Sequence, residues 1–337
     1  MINSISIKNF GPIKTLNWDH LGQMNLVLGT NGQGKTFLLK SLYSAIRTLE
    51  EYRRGDDNRN ATEILSDKLY WTFQTDKLGD LVTKGVNDTL SLKIEVEDRL
   101  FGYKFGKDTT KQILYLENHV TPRTSNSIFI PAKEVLSLHQ IILKSREQDK
   151  SFGFDDTYYD LARAIRLTPQ RGKKYKAFSD SRKLLENMLG GKVEYVESSS
   201  RWQFRSGNQK FTIGTTSEGV KKISILEALL SNRYLDNKSI IFIDEPEAAL
   251  HPTAIANLLD IVNKLSKCGI QFFIATHSYF VVKKLYLLAQ ENEQSIPVIS
   301  ASDGVWNTND LKDGIPDNPI INESIRLYER EVELSLG

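Results

Sequence analysis

One cysteine in 337 residues, Cys268, leaves no partner for an internal disulfide and too few thiolates for a multi-cysteine zinc site. No apolar run approaches the ~20 residues that span a bilayer. The N-terminal MINSISIKNF also lacks the apolar core of a secretory signal, so the expectation is a cytoplasmic chain without a membrane element. Charge of one sign is missing too: 44 Lys and Arg stand against 42 Asp and Glu, a net charge of +2. The molecule is therefore no polycation built for nucleic acid, and any such role needs a local patch. Internal repeats, low-complexity tracts and long linkers are absent. What is present, 40% hydrophobic and 26% charged residues, suits a soluble globular fold with an ample core.

Against that background one motif stands out. Gly29-Thr30-Asn31-Gly32-Gln33-Gly34-Lys35-Thr36 fits G-x-x-x-x-G-K-[ST]. The apolar run Met24 to Leu28 before it reads as a buried strand, and residues 37–55 after it have helical periodicity. Glycines in this context bring backbone N–H groups close to phosphate oxygens, and the helix N-terminus adds partial positive charge. Lys35 is expected to reach the β- and γ-phosphates, and Thr36 to ligate Mg²⁺.

Hydrolysis needs more than a cradle. Ser239 to Ile243 is an apolar strand ending in Asp244-Glu245, and strand ends of α/β sheets are where ligands meet the protein. Asp244 is expected to hold Mg²⁺ together with Thr36, and Glu245 to orient or deprotonate the attacking water. A further buried strand, Gln271 to Thr276, ends at His277-Ser278. His277 either bonds nearby backbone or contacts the γ-phosphate and the water. Before these strands, Thr216 to Lys222 precedes a helix with Ile223, Leu226, Leu229 and Leu230 on one face. Ser217 sits at the N-cap position of that helix, and a capped helix N-terminus with a free hydroxyl and a glycine is also an anion site. Lys221 is either a solvated helix lysine or a source of positive charge.

The order of these motifs resembles the ABC-type ATPase family. That resemblance assigns Ser217-Glu218-Gly219 to the signature, Asp244-Glu245 to the Walker B motif, Glu247 to Pro252 to the D-loop, and His277 to the switch. The wording IKNFGPIK, SEG with Lys221-Lys222, DEPEAALHP and ATHS is similar to the OLD-like (overcoming lysogenization defect) branch. The middle, about 85–210, matches loosely. The resemblance implies a homodimer that sandwiches two ATP, with Ser217, Glu218 and Gly219 of one copy closing over the nucleotide of the other. It also suggests Gln74 for the Mg²⁺ shell, and Phe10 either beside the adenine or in the core.

The remaining pattern completes the expected architecture. ISIKNFGPIKTLNWD breaks at Gly11-Pro12 between two strands, 89–120 reads as an antiparallel meander, and Ser127 to Pro131 is another apolar strand. Residues 132–189 are mostly helical with a polar break near 146–156, and 192–197, 201–205 and 209–214 are short strands. The expected fold is an α/β, ABC-type P-loop NTPase with a mixed sheet core, an antiparallel β subdomain and an inserted, mainly helical lobe. As one domain over 1–337, it divides into an N-terminal part (1–131), an inserted lobe (132–215) and a C-terminal part (216–337).

Departures from relatives narrow the role. The chain carries SEG where transporter domains usually carry LSGGQ. Residues 132–189 are too short and irregular for the long coiled coil of chromosome-organising relatives. Asp303, Asp310, Asp313 and Asp317 are scattered among Gly, Asn and Pro, which reads as loop and not as the metal site of a TOPRIM nuclease domain. The expectation is an ATPase that serves as regulatory or sensor subunit to a separately encoded effector, in anti-phage defence or a toxin-like system. The alternative is a DNA-repair clamp of the RecF type. It would use Arg163, Arg166, Arg171, Lys173, Lys174, Lys176, Arg182 and Lys183, which face one acid, Asp180; a lysine-rich helix face is more often simply solvated, and a protein partner is a further alternative. A scaffold that binds ATP without turning it over is a third reading, disfavoured by Glu245 and His277.

Overall fold

The computed structural model describes residues 1–168, 176–302 and 304–336. Three predominantly apolar strands, buried along their whole length, run parallel at its centre: β3 (Met24–Gly29), β11 (Ile240–Asp244) and β12 (Gln271–Thr276). Continuous apolar runs suit a sheet buried on both faces. Two further parallel strands flank them, β7 (Ile128–Ile130) beside β11 and β13 (Pro297–Ser302) beside β3. An antiparallel edge strand, β14 (Val305–Asp310), completes the order β14-β13-β3-β12-β11-β7.

Side-chain alternation along these strands creates two cores. Met24, Leu26, Leu28, Ile241, Ile243, Phe272 and Ile274 point to one face. There they pack with α6 (Glu218–Ser231), α7 (Pro252–Ser266) and α8 (Tyr279–Glu291). Val27, Ile240, Phe242, Phe273 and Ala275 point to the other. That face is covered by α1 (Lys35–Glu51), α2 (Ala61–Phe73) and a five-stranded antiparallel sheet. The second sheet is formed by β1 (Ile2–Phe10), β2 (Ile13–Trp18), β4 (Leu90–Val96), β5 (Arg99–Phe105) and β6 (Tyr115–Asn118).

The middle of the chain is helical and then stranded, as its pattern suggests. It contains α3 (His139–Glu147), α4 (Asp156–Ile165) and α5 (Lys176–Leu189). These precede a three-stranded antiparallel sheet of β8 (Lys192–Val196), β9 (Arg201–Ser206) and β10 (Gln209–Thr212).

Two parts of the sequence reading require correction. The stretch around Asp310, read as loop, is a β-hairpin that extends the main sheet, and Asp310 ends β14. Its carboxylate accepts from the Ile296 backbone N–H at 3.0 Å and from the Ser295 hydroxyl, so it closes the hairpin base. Asp303 lies outside the described residues. Apolar patterning also does not single out α2 or α9 (Pro319–Leu336). The first is set by an Asn60/Glu63 capping box; the second buries only Ile321.

Candidate functional site

The parallel strands deliver the motifs to one edge. Register pairs Leu28 with Thr276, Ala275 with Asp244, and Ala301 with Gly29. The glycine loop, the Asp244-Glu245 turn and His277 therefore emerge side by side at the carboxyl ends of β3, β11 and β12.

In the loop, Gly32 and Gly34 hold left-handed backbone, at φ 82° and 94°. A Cβ on Gly34 would come within 2.9 Å of Pro12 Cγ, so both conformation and space demand glycine. Thr30, Asn31 and Gly32 are exposed, and Gln33 Oε1 accepts from Gly304 N at 3.4 Å. Lys35 is buried at the start of α1, and its Nζ donates to the Thr30 carbonyl at 2.9 Å. Burial lowers its pKa, against the pull of Asp244, Glu245 and Glu247. A cation folded back onto its own loop is positioned to transfer to a phosphate.

Thr36 Oγ1 donates to Asp244 Oδ2 at 2.8 Å across 208 positions of chain. Asp244 Oδ1 is buried without a hydrogen-bond partner among the described residues. A hydroxyl and an orphaned carboxylate oxygen at a phosphate loop fit the hard oxygen chemistry of Mg²⁺. Burial, helped by the charge of Glu245, raises the Asp244 pKa against the Thr36 hydrogen bond; a cation there would restore the anion. Gln74 caps α2 in left-handed backbone at φ 50°, and its Nε2 is likewise buried and unpartnered. It lines the same cavity of about 510 Å³ as Asn31, Lys35, Thr36 and Glu245. An amide nitrogen is a donor only, so any role in a metal shell would fall to the Gln74 Oε1.

Glu245 also holds left-handed backbone, φ 49°, unusual for a residue with a Cβ. Its Oε1 lies 3.1 Å from His277 Nδ1. Glu247 anchors the neighbouring turn: its Oε1 accepts from Thr276 Oγ1 at 2.7 Å and from His277 N at 3.3 Å. A carboxylate beside an imidazole at the mouth of a phosphate pocket is an arrangement able to hold and polarise water.

The Ser217-Glu218-Gly219 segment lies against the D-loop stretch of the same chain. A Cβ on Gly219 would meet the Ala249 carbonyl and Leu250 Cδ2, each at 3.1 Å. Ser217 is the N-cap of α6, accepting from Val220 N at 3.3 Å. Lys221, weighed above as a source of charge, is bound to Glu218 at 2.7 Å. The lysine that reaches the site is Lys222, whose Nζ donates to the Glu245 carbonyl. Burial pushes the Lys222 ammonium down to about 8 in spite of Glu247, Asp244 and Glu245.

Of the two places expected for Phe10, the structure shows the core. Its ring is fully buried, edge-on to Phe37 at 5.1 Å and tilted against Phe73 at 5.6 Å, so it has no face to offer a base. The aromatic surface lining the nucleotide cavity belongs to Phe37 and Phe73. Sequence reasoning also missed Lys40–Asp155, a 2.7 Å ion pair on the cavity wall. Lys40 stands one helical turn after Thr36, a spacing that puts both on one face of α1. Asp155 precedes a helix as an N-cap.

The basic stretch is described in part: Arg171, Lys173 and Lys174 fall outside the described residues. Arg182 is committed to Glu227 at 2.8 Å and Glu186 at 2.7 Å, while Arg163 and Arg166 lie exposed over tyrosine rings. No helix among the described residues is long and apolar enough to cross a membrane.

Known proteins agree with this geometry. The SMC head bound to the C-terminal winged-helix domain of ScpA superposes with a TM-score of 0.52 at 14% identity, covering 92% of this chain and 97% of that one. The SMC head domain with an extended coiled coil bound to the C-terminal domain of ScpA, derived from Pyrococcus furiosus, gives 0.52 at 12% identity over 98% of each chain. These likenesses establish the fold as that of an ABC-type P-loop NTPase head. A curated Helicobacter pylori protein named "ATP/GTP phosphatase" is 21% identical over 88% of this chain and 95% of its own length. The family described as "AAA domain, putative AbiEii toxin, Type IV TA system" matches residues 24–283, the span from β3 to α8. The chain belongs to that family, AAA_21, and is an AAA-family ATPase domain that hydrolyses ATP.

Proposed function

We propose that this ATPase works as a nucleotide-sandwiched homodimer whose closure and hydrolysis are read by a separately encoded effector. The observation that carries the reading is the convergence of Thr36–Asp244 at 2.8 Å with Glu245–His277 at 3.1 Å on one sheet edge. In this reading the amides of Gly29, Thr30, Asn31, Gly32, Gln33 and Gly34 cradle the phosphates, and Lys35 reaches the β- and γ-phosphates. Thr36, Asp244 and Gln74 would hold Mg²⁺, which on binding neutralises phosphate charge. Glu245 holds the attacking water, and His277 fixes the Glu245 carboxylate and meets the γ-phosphate.

Within one chain Gly219 lies against its own D-loop, and Ser217, Glu218 and Gly219 do not line the cavity of the phosphate loop. A second copy, docked head to tail, would bring its Ser217, Glu218 and Gly219 to the γ-phosphate. That supports an obligate two-copy site. The regulatory role, in OLD-like defence or a toxin-like system, is supported by the family description and by the SEG and DEPEAALHP wording. A RecF-like DNA clamp is the second reading; in the described part of the basic stretch Arg163, Arg166, Lys176 and Lys183 are exposed and without ion pairs among the described residues, while Arg182 is committed to Glu227 and Glu186.

A mixing experiment tests the two-copy site. Ser217→Arg and Lys35→Ala proteins are each expected to be inactive, and their mixture to regain up to about a quarter of wild-type turnover through one intact composite site. Full activity of Ser217→Arg alone would overturn the trans assignment.

A further inference from the structure

A second cavity, about 410 Å³, opens between α1, α2 and α4, and its lining is almost wholly charged. Its floor is a closed ionic network. Lys68 Nζ contacts Glu51 at 2.9 Å, Asp156 at 3.2 Å and Asp160 at 3.1 Å. Arg47 holds Glu51 at 2.9 Å and lies 3.5 Å from Asp160, which also accepts from Tyr43 Oη at 2.8 Å. At one side Arg59 takes both Asp57 and Asp67, at 2.7 and 2.8 Å. Burial alone would push the Asp160 carboxyl up, but Lys68 and Arg47 outweigh it and hold it at about 2. Every acid of the lining is thus paired.

Three of the cations keep donors to spare. Arg54 makes one bond, to the neutral Asn126 side chain at 2.7 Å. Arg146 uses Nε for Asp156 at 3.2 Å, and its guanidinium lies 3.5 Å over the Trp71 ring, leaving both terminal nitrogens free. Arg163 makes no ion pair among the described residues and sits 5.5 Å over Tyr159. Deeper in, Arg47, with its side chain only 10% exposed, makes no hydrogen bond among the described residues through Nε, the atom 3.5 Å from Asp160. Three arginines with spare donors therefore line a recess whose acids are already satisfied, and arginine forks match phosphate oxygens two at a time.

We propose that this cavity is a second anion site, for a small phosphate-bearing molecule held by Arg54, Arg146 and Arg163. A recess with a buried floor suits a small molecule, whereas a nucleic-acid backbone needs an exposed track. Helices α1 and α2 line both cavities at opposite ends, and α4 with its N-cap touches both. On α1 Thr36 and Lys40 face the nucleotide, Arg47 and Glu51 the anion site; on α2 the division is Phe73 against Lys68, with Gln74 at the α2 cap; and Asp155, the N-cap of α4, faces the nucleotide while Arg163 on α4 faces the anion site. The site stands whether or not the dimer reading holds.

The test uses full-length Lys35→Ala protein, in which the phosphate loop is disabled, titrated calorimetrically with pyrophosphate. Saturable one-to-one binding is expected, weakened at least tenfold when Arg54→Ala and Arg163→Ala are added. Both arginines are exposed, and unchanged melting will show that the fold survives. Absence of saturable binding in Lys35→Ala, or equal affinity with and without the two arginines, would overturn the proposal. So would binding of a single-stranded oligonucleotide with none of pyrophosphate.

Discussion

His277 Nδ1 lies 3.1 Å from Glu245 Oε1, which brings the side chains at the ends of two adjacent parallel strands together. Neither residue is deeply buried, with side chains 40% and 31% exposed, so both can meet water and phosphate. Glu245→Gln keeps shape and hydrogen bonding but removes the base. Its turnover is expected to fall by about 10²–10⁴, with ATP affinity retained and an ATP-bound dimer accumulating in size-exclusion chromatography. His277→Ala is expected to lose turnover less steeply. Wild-type turnover in Glu245→Gln would refute the assignment of the base.

The Thr36–Asp244 contact makes a separate prediction. Asp244→Asn leaves the hydrogen bond with Thr36 possible while removing the charge that would hold Mg²⁺. The stimulation of ATP binding by added Mg²⁺ is therefore expected to shrink about tenfold or more, while metal-free affinity changes little. Fluorescent-nucleotide titrations with and without EDTA measure both arms.

Lys222 donates to the Glu245 carbonyl, and Glu245 sits in left-handed backbone. Holding a non-glycine residue there costs on the order of 1–3 kcal/mol unless its surroundings fix it. Lys222→Met is expected to lower kcat with KM for ATP nearly unchanged, because the catalytic turn loosens while the phosphate loop stays intact. Lys221→Met, which removes only the pair with Glu218, is expected to leave kcat within about twofold. Equal effects of the two substitutions would remove Lys222 from the site.

Gly11 has φ +54°, and a Cβ there would fall 2.3 Å from Phe37 Cζ. The close approach lets Phe37 lie across the β1–β2 turn and form the wall of the nucleotide cavity. Gly11→Ala is expected to destabilise by about 1–3 kcal/mol through backbone strain and displacement of the ring. Denaturant melts would measure the loss, and an unchanged midpoint would contradict this account.

His139 is buried in the helical region, with Nε2 3.1 Å from the Ala162 carbonyl and its ring edge-on to Trp202. Burial lowers its pKa below the usual value, against the Ala162 hydrogen bond and aided by Arg166. The folded state thus binds fewer protons than the unfolded chain at pH values just below the ordinary histidine range. Its contribution to stability is complete above about pH 6.5 and declines as pH falls below that value. Melting temperature is expected to drop between pH 7.5 and 5.5, and to drop less in His139→Gln. An identical slope in the two proteins would exclude His139 as the cause.

Much of the site could be read in the sequence because its parts are local. A phosphate loop between a strand and a helix, or two acids ending an apolar strand, each follow from a few consecutive residues. Gln74 was reachable only by resemblance, since nothing around it in Tyr70 to Phe73 signals an orphaned amide. Phe10 and Phe37 illustrate the limit. Both are aromatic and both stand beside glycine motifs, and only packing decides which one is sealed and which faces the cavity. Lys221 and Lys222 differ by one position on a helix, about 100° of rotation, and that rotation sends one to Glu218 and the other to Glu245.

The sequence by itself determined the chemistry of the phosphate loop, the strand-end acids, the helix cap at Ser217, and the apolar strands. These depend on residue type and on periods of two or 3.6, which short stretches carry complete. Only the tertiary structure decided that Thr36 meets Asp244 across 208 positions, and that Gly219 lies against the D-loop of its own chain. It also decided that α1, α2 and α4 enclose a second, arginine-rimmed cavity behind the first. Such contacts depend on strand order, register and helix packing between distant segments, and no local pattern contains them.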